Sequence, residues 1–196
     1  VMKPLSLSRI NMSDIYHLST PLQNTDLINL KIGDKVLISG KIYTARDVAH
    51  QRLVKLMEIS QPLPFDIKGT VIYYAGPAPA RPGNPIGSVG PTSSYRMDKF
   101  TPPLLSAGVK ATIGKGERSQ NVIDAIIRYQ AVYFVAVGGA AVVAAQAVKT
   151  ARIVAFEELG PEAIYELTVV NFPVFVAIDV NGNDLFRVGV ARYRQE

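Results

Sequence analysis

The chain predicts an α/β domain built on a mixed sheet, and three features of its 196 residues carry that prediction. From Val36 to about Thr150, short apolar runs rich in β-branched residues alternate with stretches of helical periodicity, the pattern of strand-helix-strand units. After that point apolar runs follow one another directly, and Asn181-Gly182 is a hairpin signal that adds antiparallel strands. The third feature is the segment Gly76 to Pro91, which packs five prolines and four glycines into sixteen residues. A loop that long and that stiff tends to carry function.

Taken in order, residues 1–19 read as an N-terminal arm with one edge strand, and residues 20–196 as a single domain. Asn24 or Thr25 caps a short helix through Leu30, closed by Gly33. Val36 to Ile42 is a buried strand and Ala45 to Ile59 a helix, which Pro62 and Pro64 stop. Thr70 to Ala75 is the next strand. A short helix starts near Thr92, and a second, limited by Pro102 and Pro103, runs toward Ala107. Val109 to Ile113, Glu117 to Tyr129 and Ala131 to Val137 read as strand, helix and strand. Gly138-Gly139 opens an apolar helix to about Thr150 that must be covered by the core or by a partner. Ile153 to Glu158, Ile164 to Val170, Val174 to Val180 and Leu185 to Val190 are expected as strands, the last returning antiparallel after Asn181-Gly182.

Composition excludes several classes. Hydrophobic residues make up 48% and charged residues 19%, too apolar for a disordered chain. With no cysteine, the chain builds no disulfide, cysteine nucleophile or thiolate metal site of its own. His17 and His50, its two histidines, have no metal-ligand spacing, so no metal site is expected. The 21 Lys and Arg residues are scattered without a basic run, which argues against nucleic acid. The apolar stretch from Ala131 to Val148 is interrupted by Gly138, Gly139 and Gln146, so no membrane span is expected and the location reads as cytoplasmic.

Three cations stand where strands hand over to helices: Arg46 in Tyr43-Thr44-Ala45-Arg46-Asp47, Arg96 in Gly90-Pro91-Thr92-Ser93-Ser94-Tyr95-Arg96, and Lys115 in Gly114-Lys115-Gly116. The dipole and free N–H groups of a helix start are already positive, so cations there ask for an anion. Thr44 and Asp47 have capping-box spacing, and capping is the favoured reading of that pair. Thr92 and Arg96 lie one helical turn apart and form a carboxylate clamp. His50 follows Arg46 by one turn and stands with Asp47 as a second-tier candidate. No nucleophile elbow or Walker loop is present. The residues alone define an anionic small-molecule site.

At Gly40 to His50, Tyr74-Ala75-Gly76-Pro77, Gly90-Pro91-Thr92, Arg96-Met97-Asp98, Gly114-Lys115-Gly116 and Gly138-Gly139-Ala140-Ala141, the chain resembles the β subunit, or C-terminal domain, of iron-sulfur class I fumarate hydratases and L-tartrate dehydratases. The resemblance runs from about Thr20 to Phe186 and implies a swivelling β/β/α domain, a mixed sheet flanked by helices. It implies reversible hydration of fumarate to L-malate, or dehydration of tartrate, at a four-iron four-sulfur cluster ligated by a cysteine-bearing α subunit. It places Arg46, Arg96 and Lys115 around the carboxylates of a small dicarboxylate substrate and Thr92 near the reacting carbons. The assembly it implies is a hetero-oligomer with the α subunit, or a homodimer of the β chain. A reading from another class is a non-catalytic anion-binding or assembly module.

Overall fold

The computed structural model describes residues 15–136 and 140–193. Seven strands form one mixed sheet: β1 (Ile15–Ser19), β2 (Lys35–Thr44), β3 (Val71–Tyr73), β4 (Ala111–Gly114), β5 (Val132–Val135), β6 (Val148–Ala155) and β7 (Ile164–Ile178). The first five run parallel in the order β1-β2-β3-β4-β5, and β7 lies antiparallel between β5 and β6. β7 also pairs antiparallel with β2 along most of its length. That second pairing closes β2-β3-β4-β5-β7 into a five-stranded ring within the expected mixed sheet.

Alternation along each strand sorts the core into two. Val36, Ile38, Ile42, Val71, Tyr73, Ile113, Phe134, Leu167 and Val176 fill the ring. Their neighbours Tyr43, Ile72, Tyr74, Tyr133 and Ile178 point outward, under helices α2 (Asp47–Glu58), α3 (Thr101–Ala107) and α4 (Gln120–Tyr129). Period-two strands with both faces apolar are what a sheet covered on both sides requires. α4 presents Val122, Ile123 and Ile126, each at most 2% exposed, and such burial contributes roughly 1.5–3 kcal/mol per large aliphatic side chain. Two further helices are α1 (Asn24–Leu27) and α5 (Ala140–Ala147), whose Ala144 and Ala147 join the ring core.

A register shift between Ile38 and Gly40 bends β2 where the chain from β1 crosses it. Gly40 has φ +106°, and a Cβ there would stand 2.4 Å from Thr20 Oγ1, so both conformation and space demand glycine. Thr20 Oγ1 donates to the Lys41 carbonyl at 2.8 Å across this approach.

The C-terminal elements differ from expectation: the apolar helix ends at Ala147, and the strand expected at Ile153 to Glu158 runs over Val148–Ala155. Leu185 to Val190 is not a returning strand: Asp179 gathers Asn181 N, Asn183 N and Asn183 Nδ2, and the chain turns into helix α6 (Leu185–Tyr193). The turn side chain diverts the chain before more than an Ile178–Asp184 bridge can pair. Ile164 to Val170 and Val174 to Val180 are one long strand, which passes Asn171 at φ +54° without breaking. The Gly138-Gly139 opening and most of the N-terminal arm lie outside the described residues. No helix among the described residues is long and apolar enough to cross a membrane.

Candidate anion-binding site

β2, β3 and β4 are parallel neighbours, so their carboxyl ends lie side by side. Arg46 follows β2, Gly76 follows β3 and Lys115 follows β4. The segment after the Pro/Gly-rich loop is laid across these ends: Pro91 bridges Ala75, Thr92 N donates to the Tyr74 carbonyl at 2.6 Å, and Ser93 bridges Lys115 in parallel register. The topology thus brings the three predicted cations and Thr92 to one end of the ring.

Arg46 is the N-cap residue of α2, in extended conformation at φ −120°, and its side chain caps nothing. Its carbonyl accepts from His50 N and lies 2.8 Å from His50 Nδ1. The guanidinium turns back, with Nη2 3.4 Å from Glu162 Oε1. Asp47, the first residue of α2, receives Arg96 as a fork: Nε donates to Oδ1 at 3.0 Å and Nη2 lies 2.9 Å from Oδ2. Two acidic residues thus neutralise charge that the helix dipole would otherwise oppose.

Three details differ from the sequence reading. Thr44 is not a cap; it is fully buried and its Oγ1 accepts from Tyr165 N at 3.2 Å, so the capping-box spacing with Asp47 is coincidental. Arg96 is the third residue of a single 3-10 turn over Ser94–Met97 rather than at a helix start. Lys115 precedes α4 by several residues, on an exposed turn. Helix N-termini therefore do not explain the last two cations; strand ends do.

His50 lies beneath the surface, fully buried beside Tyr74, whose ring meets it edge-on at 5.2 Å. Burial pushes its pKa down to about 4, against the hydrogen bond to Arg46, and the Arg118 charge adds to the depression. Its imidazole is neutral at pH 7 and faces inward.

Sequence reasoning missed two residues that hold the site. Arg118 is buried between the rings of Tyr74 and Tyr133, with its guanidinium carbon 5.3 and 4.9 Å from the two centroids. Its Nε donates to Asp98 Oδ1 at 2.7 Å and its Nη2 to Thr101 Oγ1 at 2.7 Å. Burial works against this charge, but Tyr74 and Asp98 more than offset it, and the guanidinium pKa is raised. Asp98 Oδ2 also accepts from Ser119 N, so this pair ties the 3-10 turn to the start of α4. In sequence Arg118 is marked by little more than its place one residue before Ser119, the N-cap position of α4. Glu162 is the second, and nothing near Arg46 in sequence announces it.

The arrangement offers forked and point cations with one hydroxyl, the chemistry of small-carboxylate recognition. No group of His, Cys, Asp and Glu among the described residues could hold a metal ion.

The fold is thus an α/β ring domain that presents cations at the ends of neighbouring parallel strands. Its sequence matches the family described as Fumarase C-terminus over residues 6–189, and the chain belongs to that family. It is 42% identical over 158 residues to the anaerobic class I fumarate hydratase of Escherichia coli (strain K12), covering 80% of this chain and 29% of that protein. Fumarate hydratase 2 of Leishmania major is 39% identical over 157 residues, 79% of this chain and 28% of that protein. The L(+)-tartrate dehydratase subunit beta of E. coli (strain K12) is 36% identical over 173 residues, 86% of this chain and 85% of that subunit. The chain thus spans less than a third of the fumarate hydratases it matches.

Proposed function

We propose that this chain is the β subunit, or C-terminal portion, of a class I fumarate hydratase, and that it supplies the carboxylate-binding cations for reversible hydration of fumarate to L-malate. The observation that carries the reading is that Arg46, Thr92, Arg96 and Lys115 converge on one end of the ring in a member of the Fumarase C-terminus family. In this reading the domain is of the swivelling β/β/α type and acts in a cytoplasmic hetero-oligomer.

Arg96, preset by Asp47, offers its remaining guanidinium edge to one carboxylate; Arg46 and Lys115 receive the other. Thr92, fixed through its backbone to the end of β3, orients or relays a proton at the carbon that gains or loses hydroxyl. A threonine hydroxyl is a weak acid and a weak base, so the principal proton-abstracting group belongs to the partner. The residues present do not fit an iron-sulfur cluster, because the chain has no cysteine. The four-iron four-sulfur cluster of this reading is ligated by a cysteine-bearing α subunit.

A second reading, the L-tartrate dehydratase β subunit, is supported by the 36% identity over 173 residues to such a subunit. Anaerobic reconstitution with a cysteine-bearing partner, iron and sulfide, followed by assays on fumarate, malate and tartrate, separates the two. Absence of hydration and dehydration in the assembled complex would sink both.

A further inference from the structure

Four buried side-chain polar atoms among the described residues lack a hydrogen-bond partner: Arg46 Nε, Asp47 Oδ2, His50 Nε2 and Glu162 Oε2. All belong to the first turn of α2 or to the residue paired with it. Asp47 Oδ2 has the ion contact with Arg96. Of the rest, Arg46 Nε and Glu162 Oε2 are a donor and an acceptor on groups already joined at 3.4 Å through Nη2 and Oε1. A small closure satisfies both orphans at once, as a parallel two-bond fork with Nε and Nη2 on the carboxylate.

The surroundings hold both partners for this arrangement. A Cβ at Gly76 would stand 3.1 Å from Arg46 Nη1, 3.2 Å from Arg46 Cδ and 2.8 Å from the Pro161 carbonyl, so the arginine stem is threaded between the Gly76 turn and the connection from β6 to β7. That connection is a tight turn, with Gly160 at φ +56° and ψ −120°. It is pinned to α2 a second time, where Arg52 pairs with Glu158 and its guanidinium lies 5.0 Å from the Phe156 ring centroid. Glu162 is thus delivered to Arg46 by a docked segment and not by a free side chain on the surface.

We infer that Glu162 is a positioning residue for Arg46: it grips the Nε–Nη2 edge and leaves Nη1 as the donor presented to a substrate carboxylate. The inference rests on the substrate-binding role proposed for Arg46. It adds to the site an anion that attracts the cation without competing for its ligand-facing edge.

Two measurements on the full chain and its reconstituted complex test it. In the full chain alone, the Arg46 Nε–H resonance, assigned through Arg46→Lys, is expected to be slowly exchanging and to lose that protection in Glu162→Gln while the thermal midpoint stays within about 2 °C of wild type. In the assembled enzyme, Glu162→Gln is expected to raise KM for fumarate or malate about tenfold with kcat changed less than about twofold, the signature of lost uniform binding. Glu162→Asp, which keeps the charge, falls between Gln and wild type. In an Arg46→Lys background the Glu162→Gln change is expected to add less than about twofold, because its target is gone. Unchanged KM, a lowered KM as a competing anion would give, or full additivity with Arg46→Lys overturns the inference. An assembled wild type without turnover would instead count against the proposed function, and the Nε–H resonance would then decide the pairing by itself.

Discussion

Ser94 and Lys115 hold each other through reciprocal bonds: Ser94 N donates to the Lys115 carbonyl at 2.9 Å, and Lys115 N donates to Ser94 Oγ at 3.0 Å. Tyr133 Oη, 2.8 Å from both Ser94 Oγ and the Gly116 carbonyl, locks the junction from below. This fixes the segment carrying Thr92 and Arg96 against the turn carrying Lys115. Glycine is required beside it, since a Cβ at Gly114 would stand 1.9 Å from Ser94 Oγ. Gly114→Ala is therefore expected to lower kcat/KM of the assembled enzyme by about tenfold or more, since small misplacement of binding groups has that effect. Ser94→Gly in the same chain should recover part of the loss. Steady-state kinetics of the single and double variants check this, and equal defects in both would refute the steric cause.

The Arg96–Asp47 fork separates function from stability. Arg96 is 43% exposed on its side chain, so the pair stabilises the fold by no more than about 1 kcal/mol after solvent screening. Arg96→Lys keeps the charge but loses the fork, and is expected to leave urea unfolding nearly unchanged while lowering kcat/KM by about a hundredfold. Near-normal turnover would remove Arg96 from the site.

Arg118 behaves in the opposite way. Its side chain is fully buried and paired with Asp98. Arg118→Met leaves that carboxylate without its cation, and breaking such a pair from one side costs about 3–5 kcal/mol. Urea denaturation of the chain alone should show the loss. A change below about 1 kcal/mol would mean that the surroundings of Asp98 rearrange freely.

His50 predicts an acid limb in stability. The unfolded imidazole titrates near 6.5 and the folded one near 4, so between these values the unfolded chain binds more protons and stability rises with pH. The contribution is fully present above about 6.5, declines as pH falls, and levels off below about 4 after a loss of roughly 3 kcal/mol. His50→Asn keeps a donor for the Arg46 carbonyl and cannot titrate. Thermal melts from pH 4 to 7 should be flatter for that variant. Identical slopes would assign the acid loss to carboxylates such as Glu166, which its hydrogen bond from Arg152 holds below the usual range.

The elements legible in sequence were those with a local cause. Pro62 and Pro64 bounded α2, Pro102 and Pro103 confined α3 to a short helix, and the period of Val122, Ile123 and Ile126 marked α4. Misread elements depended on distant partners. Nothing in Lys35–Thr44 tells that its second edge pairs with β7, and Asn181-Gly182 has the same dipeptide signal whether a strand or, with Asp179 gathering its amides, a helix follows. In the candidate site, Arg46 was visible as a cation at a helix start, whereas Arg96 and Lys115 stand near strand ends that the helix-start argument does not describe. Asp47 was misassigned because capping spacing is local, and Glu162 was invisible because the contact it makes is not.

Three residues around the Arg46 turn are finished by a late part of the chain: Thr44 by Tyr165, Arg46 by Glu162, and Tyr43 by Glu166, 123 residues further on. Closing so long a loop must be compensated before such contacts stabilise anything, and folds dominated by distant pairings form slowly. During synthesis the turn is therefore incomplete until nearly the whole domain has emerged. A chain cut before Glu162 would retain Arg46, Arg96 and Lys115 while lacking the segment that closes the ring and steadies the first of them.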